Sequence, residues 1–242
     1  MGKEDLSWYA FPLMILVIVG IVLAGLFIRL EEPRGDIDIR SHVSTVHREI
    51  REAQAGMPNG SAFYLGNGYF VTNAHVTRGK DMIYSSDING NYFFGEILYE
   101  ESNLDISIFR VYHSLEQFEP VAMACRNPEY GEDIRLVGHP ARQRFFTAFG
   151  RVAGDGFYND ETNKNNVYPV NASVVPGMSG GPVFDVDGYV IGQMYVAVAS
   201  PVVTDRYGPR LRAMSIVNFG IITSSVELCQ YFDKIGIEYE VR

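Results

Sequence analysis

From Gly60 onward the chain is written in short apolar or alternating runs bounded by turn residues, a texture that restricts it to many short strands. Ala62-Phe63-Tyr64-Leu65 and Tyr69-Phe70-Val71-Thr72 flank Gly66-Asn67-Gly68. Asn and Gly tolerate positive φ, so this trio predicts a tight hairpin turn. Leu104-Asp105-Ile106-Ser107-Ile108-Phe109 alternates as a further strand. The 24 glycines and 11 prolines suit strands joined by turns. With 47% hydrophobic and 20% charged residues, a large core can be buried and disorder is not expected. The part of the chain beyond residue 30, roughly 210 residues, is of the size that an all-β domain uses as one folding unit.

The N-terminal stretch reads differently. Trp8 to Ile28 carries no charge, and at 1.5 Å per residue it is about 30 Å long as a helix, the thickness of a bilayer's hydrocarbon. Trp8 and Tyr9 stand where an interfacial aromatic belt would, and Arg29 closes the other end. A cleaved signal peptide has a shorter apolar region of ~7–15 residues and a small-x-small site. Leu26-Phe27-Ile28-Arg29 offers no such site, so residues 8–28 are expected to form an uncleaved transmembrane helix in contact with lipid. Glu31-Glu32-Pro33-Arg34-Gly35 is a polar break, and Val43, Val46, Ile50 and Ala53 then fall at helical spacing, predicting a helix over Ser41 to Gln54. The expected divisions are a short N-terminus and anchor over 1–30, a linker with a helix over 31–58, and a catalytic domain over 59–242. Nothing in the sequence singles out a homo-oligomer contact.

Several function classes drop out. The net charge is −9 and no Lys/Arg-rich run occurs, so a nucleic-acid groove has no footprint. Cys125 and Cys229 form no CxxC pair, which removes zinc and thioredoxin-type readings. They are either two buried thiols, the preferred reading, or one long-range disulfide. His42 and His47 fall on the expected linker helix, His113 in a polar stretch and His139 in the turn Gly138-His139-Pro140, all read as structural. No two histidines have metal-ligand spacing with a partner, so neither metal nor cofactor is expected.

Three segments carry chemistry. The second hairpin strand runs into Thr72-Asn73-Ala74-His75-Val76, Asp105 stands near a strand start, and Pro176-Gly177-Met178-Ser179-Gly180-Gly181-Pro182-Val183-Phe184 sets a serine in a glycine-rich turn before a strand. A serine hydroxyl is a poor nucleophile near neutral pH and needs an adjacent base. His75 is suited to that role, and Asp105 to holding its tautomer and stabilising the imidazolium. Without a side chain at Gly177, the N–H groups of Gly177 and Ser179 can converge on a developing oxyanion, each donor being worth about 3–4 kcal/mol of barrier. Gly180 and Gly181 allow close packing behind the serine. The order His75, Asp105, Ser179 is that of the double-barrel proteases, distinct from the subtilisin and α/β-hydrolase orders.

GSAFYLGNGYFVTNAHV resembles the histidine segment of trypsin-like serine proteases, the bacterial HtrA type in particular. NLDISIF resembles that family's aspartate segment, VVPGMSGGPVFDVDGYVIGQ its serine segment, and YGEDIRLVGHPARQRFFTAFGRVAG the opening hairpin of its second barrel. The resemblance implies a mostly β fold, two six-stranded antiparallel β-barrels after the N-terminal transmembrane helix. It implies a serine endopeptidase acting on polypeptide substrates through an acyl-enzyme, with His75, Asp105 and Ser179 as triad, and the apolar run over residues 8–28 makes it a membrane-anchored one. The alternative is a catalytically weak scaffold of the same fold that binds polypeptide. By the family's pattern Ser173 is the base of the primary pocket, with walls around Tyr195 and Val217; none is acidic, so small or medium apolar side chains are the expected preference. Met178 departs from animal digestive trypsins, which carry there the aspartate that pairs with a newly cut N-terminus, so activation by such trimming is not expected. Residues 227–242 are too few for the PDZ domain that HtrA-type proteases append. Arg29, Arg34 and Arg40 after the anchor against Lys3 before it favour a cytoplasmic domain, whereas the resemblance favours the periplasmic, extracytoplasmic side; the second is the expectation taken.

Overall fold

A computed structural model of the chain describes residues 38–242 except 57, 141–142, 160–163 and 205–210; for 158–159, 164–165, 197–204 and 211–218 it describes the backbone alone. Ile39–Arg242 forms one compact unit. The anchor expected over 8–28 lies outside the described residues, among which no helix is long and apolar enough to cross a membrane.

Six strands make the first barrel: β1 (Val43–Val46), β2 (Gly60–Gly66), β3 (Tyr69–Thr72), β4 (Met82–Ser86), β5 (Tyr92–Glu101) and β6 (Ile106–Arg110), in the order β1-β2-β3-β6-β5-β4. A bridge between His47, just past β1, and Tyr84 of β4 closes it, with N–H···O distances of 2.8 and 2.9 Å in the two directions. The expected hairpin is there: Gly66, Asn67 and Gly68 all have positive φ, and Phe63 pairs with Val71 across it. Gly68 is obligatory, since a Cβ would stand 2.4 Å from the Val111 carbonyl.

The second half contributes β7 (Ala122–Met123), β8 (Asp133–Gly138), β9 (Phe146–Val152), β10 (Phe157–Asn159), β11 (Lys164–Ala172), β12 (Pro182–Phe184), β13 (Val190–Thr204), β14 (Leu211–Ser224) and β15 (Glu240–Val241). Six of them close a ring of antiparallel pairs, β11-β9-β8-β12-β13-β14 and back to β11. The remaining three extend its edges. Two six-stranded antiparallel barrels are therefore present, as the sequence implied.

Strand side chains alternate, so each face of β2, β3 and β6 meets its own core. Ala62, Phe70 and Phe109 fill the barrel, where the Phe70 and Phe109 rings stack at 5.0 Å. Their neighbours Phe63, Val71 and Ile108 point the other way, into a cluster that includes Val137 and Phe184 of the second barrel. A C-terminal helix, α3 (Ser225–Ile235 in chain order), caps that cluster with Leu228 and Phe232. Ser224 Oγ accepts from the Val226 N–H at its start, and Gly236 ends it in the left-handed region. Cys229 of this helix is disulfide-bonded to Cys125, whose Cα lies 5.7 Å away, so the preferred reading of two thiols is corrected.

The helix expected over Ser41 to Gln54 is also corrected. A 3-10 turn at Ile39–His42 leads into strand β1, and only Ile50–Gln54 is helical (α1). Val43 and Val46 are an odd number of residues apart, so a strand sends them to opposite faces. Both faces are buried here, Val43 in the inter-barrel cluster and Val46 inside the barrel. Spacing that fits a helix thus fits equally a strand covered on both sides. His42 and His47 accordingly flank β1 as buried side chains, His42 Nδ1 lying 2.7 Å from the Glu119 carbonyl.

Candidate active site

His75 sits on a single helical turn, α2 (Ala74–Thr77), that follows β3 directly. Asn73 before it is still extended, and Arg78 after it is left-handed, so the turn is cut off on both sides and projects the imidazole from the barrel's rim. Asp105 faces it from the turn before β6. Its φ is +53°, a conformation that Asp tolerates better than most residues because its short side chain bonds locally. Both carboxylate oxygens are engaged by His75: Oδ1 accepts from its backbone N–H at 2.7 Å, and Oδ2 lies 2.7 Å from Nδ1. The carboxylate is 9% exposed and the imidazole 44%. Pairing at Nδ1 leaves the Nε2 edge for a reacting group.

The Asp105 carbonyl is held as firmly, accepting from Ala74 N–H at 3.1 Å and Asn73 Nδ2 at 3.0 Å. Asn73 Nδ2 also donates to Gln193 Oε1 at 3.2 Å, and Gln193 Nε2 to the Gly180 carbonyl at 3.4 Å, with both amides fully buried. This amide chain leads from the aspartate of one barrel to the serine turn of the other. The sequence reading missed both residues; the one available signal was two amides standing inside apolar strand runs.

Ser179 lies on the opposite barrel. Val175 accepts from the Met178 N–H at 3.2 Å, and with Pro176 and a positive-φ Gly177 at the centre this is a type II turn. Gly177 must lack a side chain, because a Cβ would come 2.4 Å from the His139 carbonyl. Gly180 must too: its Cβ would stand 2.2 Å from the Ser61 carbonyl and 2.4 Å from Thr72 Oγ1. Met178 fills the second barrel's apolar core at 1% exposure. Among the described residues the N–H groups of Gly177 and Ser179 donate to no acceptor. Gly60 joins the two halves, since a Cβ there would meet Val76, next to His75, at 2.7 Å and the Ser179 carbonyl at 2.9 Å.

His75 and Asp105 are thus hydrogen-bonded and the Ser179 turn packs beside them, while Ser179 Oγ makes no hydrogen bond to the His75 ring. Such contacts are often long without substrate. Of the three pocket residues, Tyr195 is half-buried with its ring 6.2 Å from that of His75, Ser173 is exposed just past β11, and the Val217 side chain lies outside the described residues. No cluster of metal-ligating side chains occurs among the described residues.

Two closed barrels with a buried aspartate paired to a half-exposed histidine beside a glycine-cradled serine define a double-β-barrel protein of the serine-protease class. A family model described as trypsin-like peptidase domain matches residues 60–192, more than half the chain, and the protein belongs to that family. It is 28% identical over 147 residues to serine protease Rv3671c of Mycobacterium tuberculosis, covering 57% of this chain and 36% of that one. It is 28% identical over 178 residues to a probable periplasmic serine endoprotease DegP-like of Brucella suis, covering 70% and 33%. The chain therefore spans about a third of the length of these relatives. The structure of the Rv3671c protease in its active form superposes with a TM-score of 0.63 at 20% identity, over 84% of this chain and 85% of that one, a likeness of fold.

Proposed function

We propose that this chain is a serine endopeptidase that hydrolyses polypeptides through an acyl-enzyme. Ser179 Oγ attacks the scissile carbonyl while His75 Nε2 takes its proton. Asp105 holds the Nδ1 proton and stabilises the imidazolium, and the Gly177 and Ser179 N–H groups receive the oxyanion. The proton then passes from His75 to the leaving amine, and water repeats the sequence to release the acid. The observation that carries this reading is the two-point grip of the buried Asp105 carboxylate on His75, which sets both the position and the tautomer of the ring.

The deciding experiment is cleavage of an unfolded protein by the wild type and by Ser179→Ala. Loss of the nucleophile costs about a million-fold in turnover in a comparable triad. A Ser179→Ala variant that keeps more than a few per cent of activity sinks the assignment. Fluorophosphonate labelling separates it from a scaffold that binds polypeptide without efficient cleavage, a reading favoured by the lack of a hydrogen bond between Ser179 Oγ and the His75 ring.

The finer points belong to the same proposal. A pocket built on Ser173, Tyr195 and Val217 lacks a counter-charge for Lys or Arg, so peptide profiling is expected to return Val, Ala or Leu before the cut. Residues 8–28 anchor the chain in a membrane with the catalytic unit on the extracytoplasmic side, a placement supported by relatives named as periplasmic. An inactive but well-expressed phosphatase fusion at Arg242 reverses that orientation.

A further inference from the structure

The oxyanion hole proposed above depends on two N–H groups separated by one peptide plane. The Gly177 N–H belongs to the Pro176–Gly177 peptide and the Ser179 N–H to the Met178–Ser179 peptide. Between them lies the Gly177–Met178 peptide, whose orientation sets how far apart the donors stand and whether they aim at one point. Its N–H end is held locally, donating to Val175 within the same turn. Its carbonyl end is held from elsewhere: Ser61 Oγ, 116 positions earlier and on the other barrel, donates to the Gly177 carbonyl at 2.9 Å. Among the described residues that carbonyl has no other donor.

We propose that Ser61 is a positioning residue for the oxyanion hole, its hydroxyl pinning the central peptide of the serine turn so that the Gly177 and Ser179 donors are preorganised. The inference rests on the endopeptidase reading and names a residue to which that reading gives no part. Ser61 is itself immobilised. It is fully buried on β2, its N–H donates to the Ser179 carbonyl at 2.8 Å, and its carbonyl accepts from Thr72 Oγ1 at 2.8 Å. The first barrel thus grips the turn at two sites on either side of Met178, one through backbone at Ser179 and one through the hydroxyl at Gly177. Gly181 presses on the same side chain, since a Cβ there would lie 3.4 Å from Ser61 Cβ. Removing the hydroxyl leaves the central plane fastened at one end only, with a carbonyl that has lost its partner.

A loosened hole weakens an interaction made in the transition state and leaves substrate binding alone, so kcat falls and KM does not. His75 and Asp105 are untouched, so the pH midpoint of kcat/KM stays in place. The experiment measures steady-state cleavage of dye-labelled casein by the full chain, wild type and Ser61→Ala, with thermal unfolding and fluorophosphonate uptake alongside. The expected result is a loss of about 10–100-fold in kcat, with KM within twofold, an unchanged pH midpoint and a folded protein. Should S61A fail to fold, S61C keeps a similar volume with a weaker donor, and a kcat several-fold below wild type at unchanged KM supports the proposal. A folded S61A with wild-type kcat, or one whose loss lies wholly in KM, overturns the role of Ser61 and leaves the endopeptidase reading standing. A folded wild type that neither cleaves casein nor takes up the fluorophosphonate overturns both.

Discussion

The two barrels share a strand plan but bring different things to their junction. The first supplies side chains: the His75 imidazole and the Asp105 carboxylate, aligned by hydrogen bonds to side chain and backbone. The second supplies backbone. Its serine sits on a turn whose conformation is possible only because Gly177 and Gly180 have no Cβ to drive into neighbouring carbonyls. Side-chain chemistry can be deleted from a barrel that goes on folding. Backbone geometry cannot be altered without displacing whatever packs against it, so damage to activity and to stability should be separable in the first barrel and joined in the second.

Asp105→Asn tests the first half of that contrast with the largest effect. The amide oxygen can still accept from the His75 N–H, so unfolding should stay close to wild type, while turnover falls about 10⁴-fold through the wrong tautomer. An Asp105→Asn protein that does not fold would break the comparison from the first-barrel side. Gly180→Ala tests the second half. Its Cβ enters a space already closed by Ser61 and Thr72, at a φ of +84°. Activity should drop by at least about 100-fold, together with roughly 2–4 kcal/mol of stability, read by kinetics and denaturant unfolding on one sample.

Two smaller effects sharpen it, because both touch stability without entering the site chemistry. Replacing Cys125 and Cys229 together by Ala should cost about 2–4 kcal/mol, since the bond closes a long loop, while activity at low temperature stays within twofold. Burial pushes the His139 imidazole down to about 3, and its Nδ1 accepts from the Phe145 N–H at 2.9 Å. The unfolded chain binds that proton near the ordinary value of 6.5 and the folded chain refuses it. Stability is therefore full above that value and falls as pH drops from about 6.5 toward 3, at no more than about 1.4 kcal/mol per pH unit. Thermal unfolding followed over this range should show a flatter slope for His139→Asn; an equal slope removes His139 as the source.

How much was legible depends on how local the cause is. The hairpin at Gly66-Asn67-Gly68 and the serine turn could be read directly, because positive φ restricts residue choice at the position itself. The first strand could not be. Val43 and Val46 satisfy a helical period, and only the cover on both faces makes them a strand. Helix α3 went unread although Ser224 and Gly236 mark its ends, because its apolar face has no meaning until the inter-barrel cluster exists to receive it.

What the sequence alone determined is the set of conformations each turn can hold and the functional groups each site residue carries, since steric freedom at Gly177 and the imidazole of His75 belong to single residues. Which partners meet was decided by the tertiary structure. Closing two barrels against one another brings the Ser61 hydroxyl to a carbonyl 116 positions away, lays the Asn73–Gln193 amides between the aspartate and the serine turn, and sets Cys125 beside Cys229. Contacts of that separation follow from how the strand faces are buried, and burial is a property of the assembled fold rather than of any segment within it.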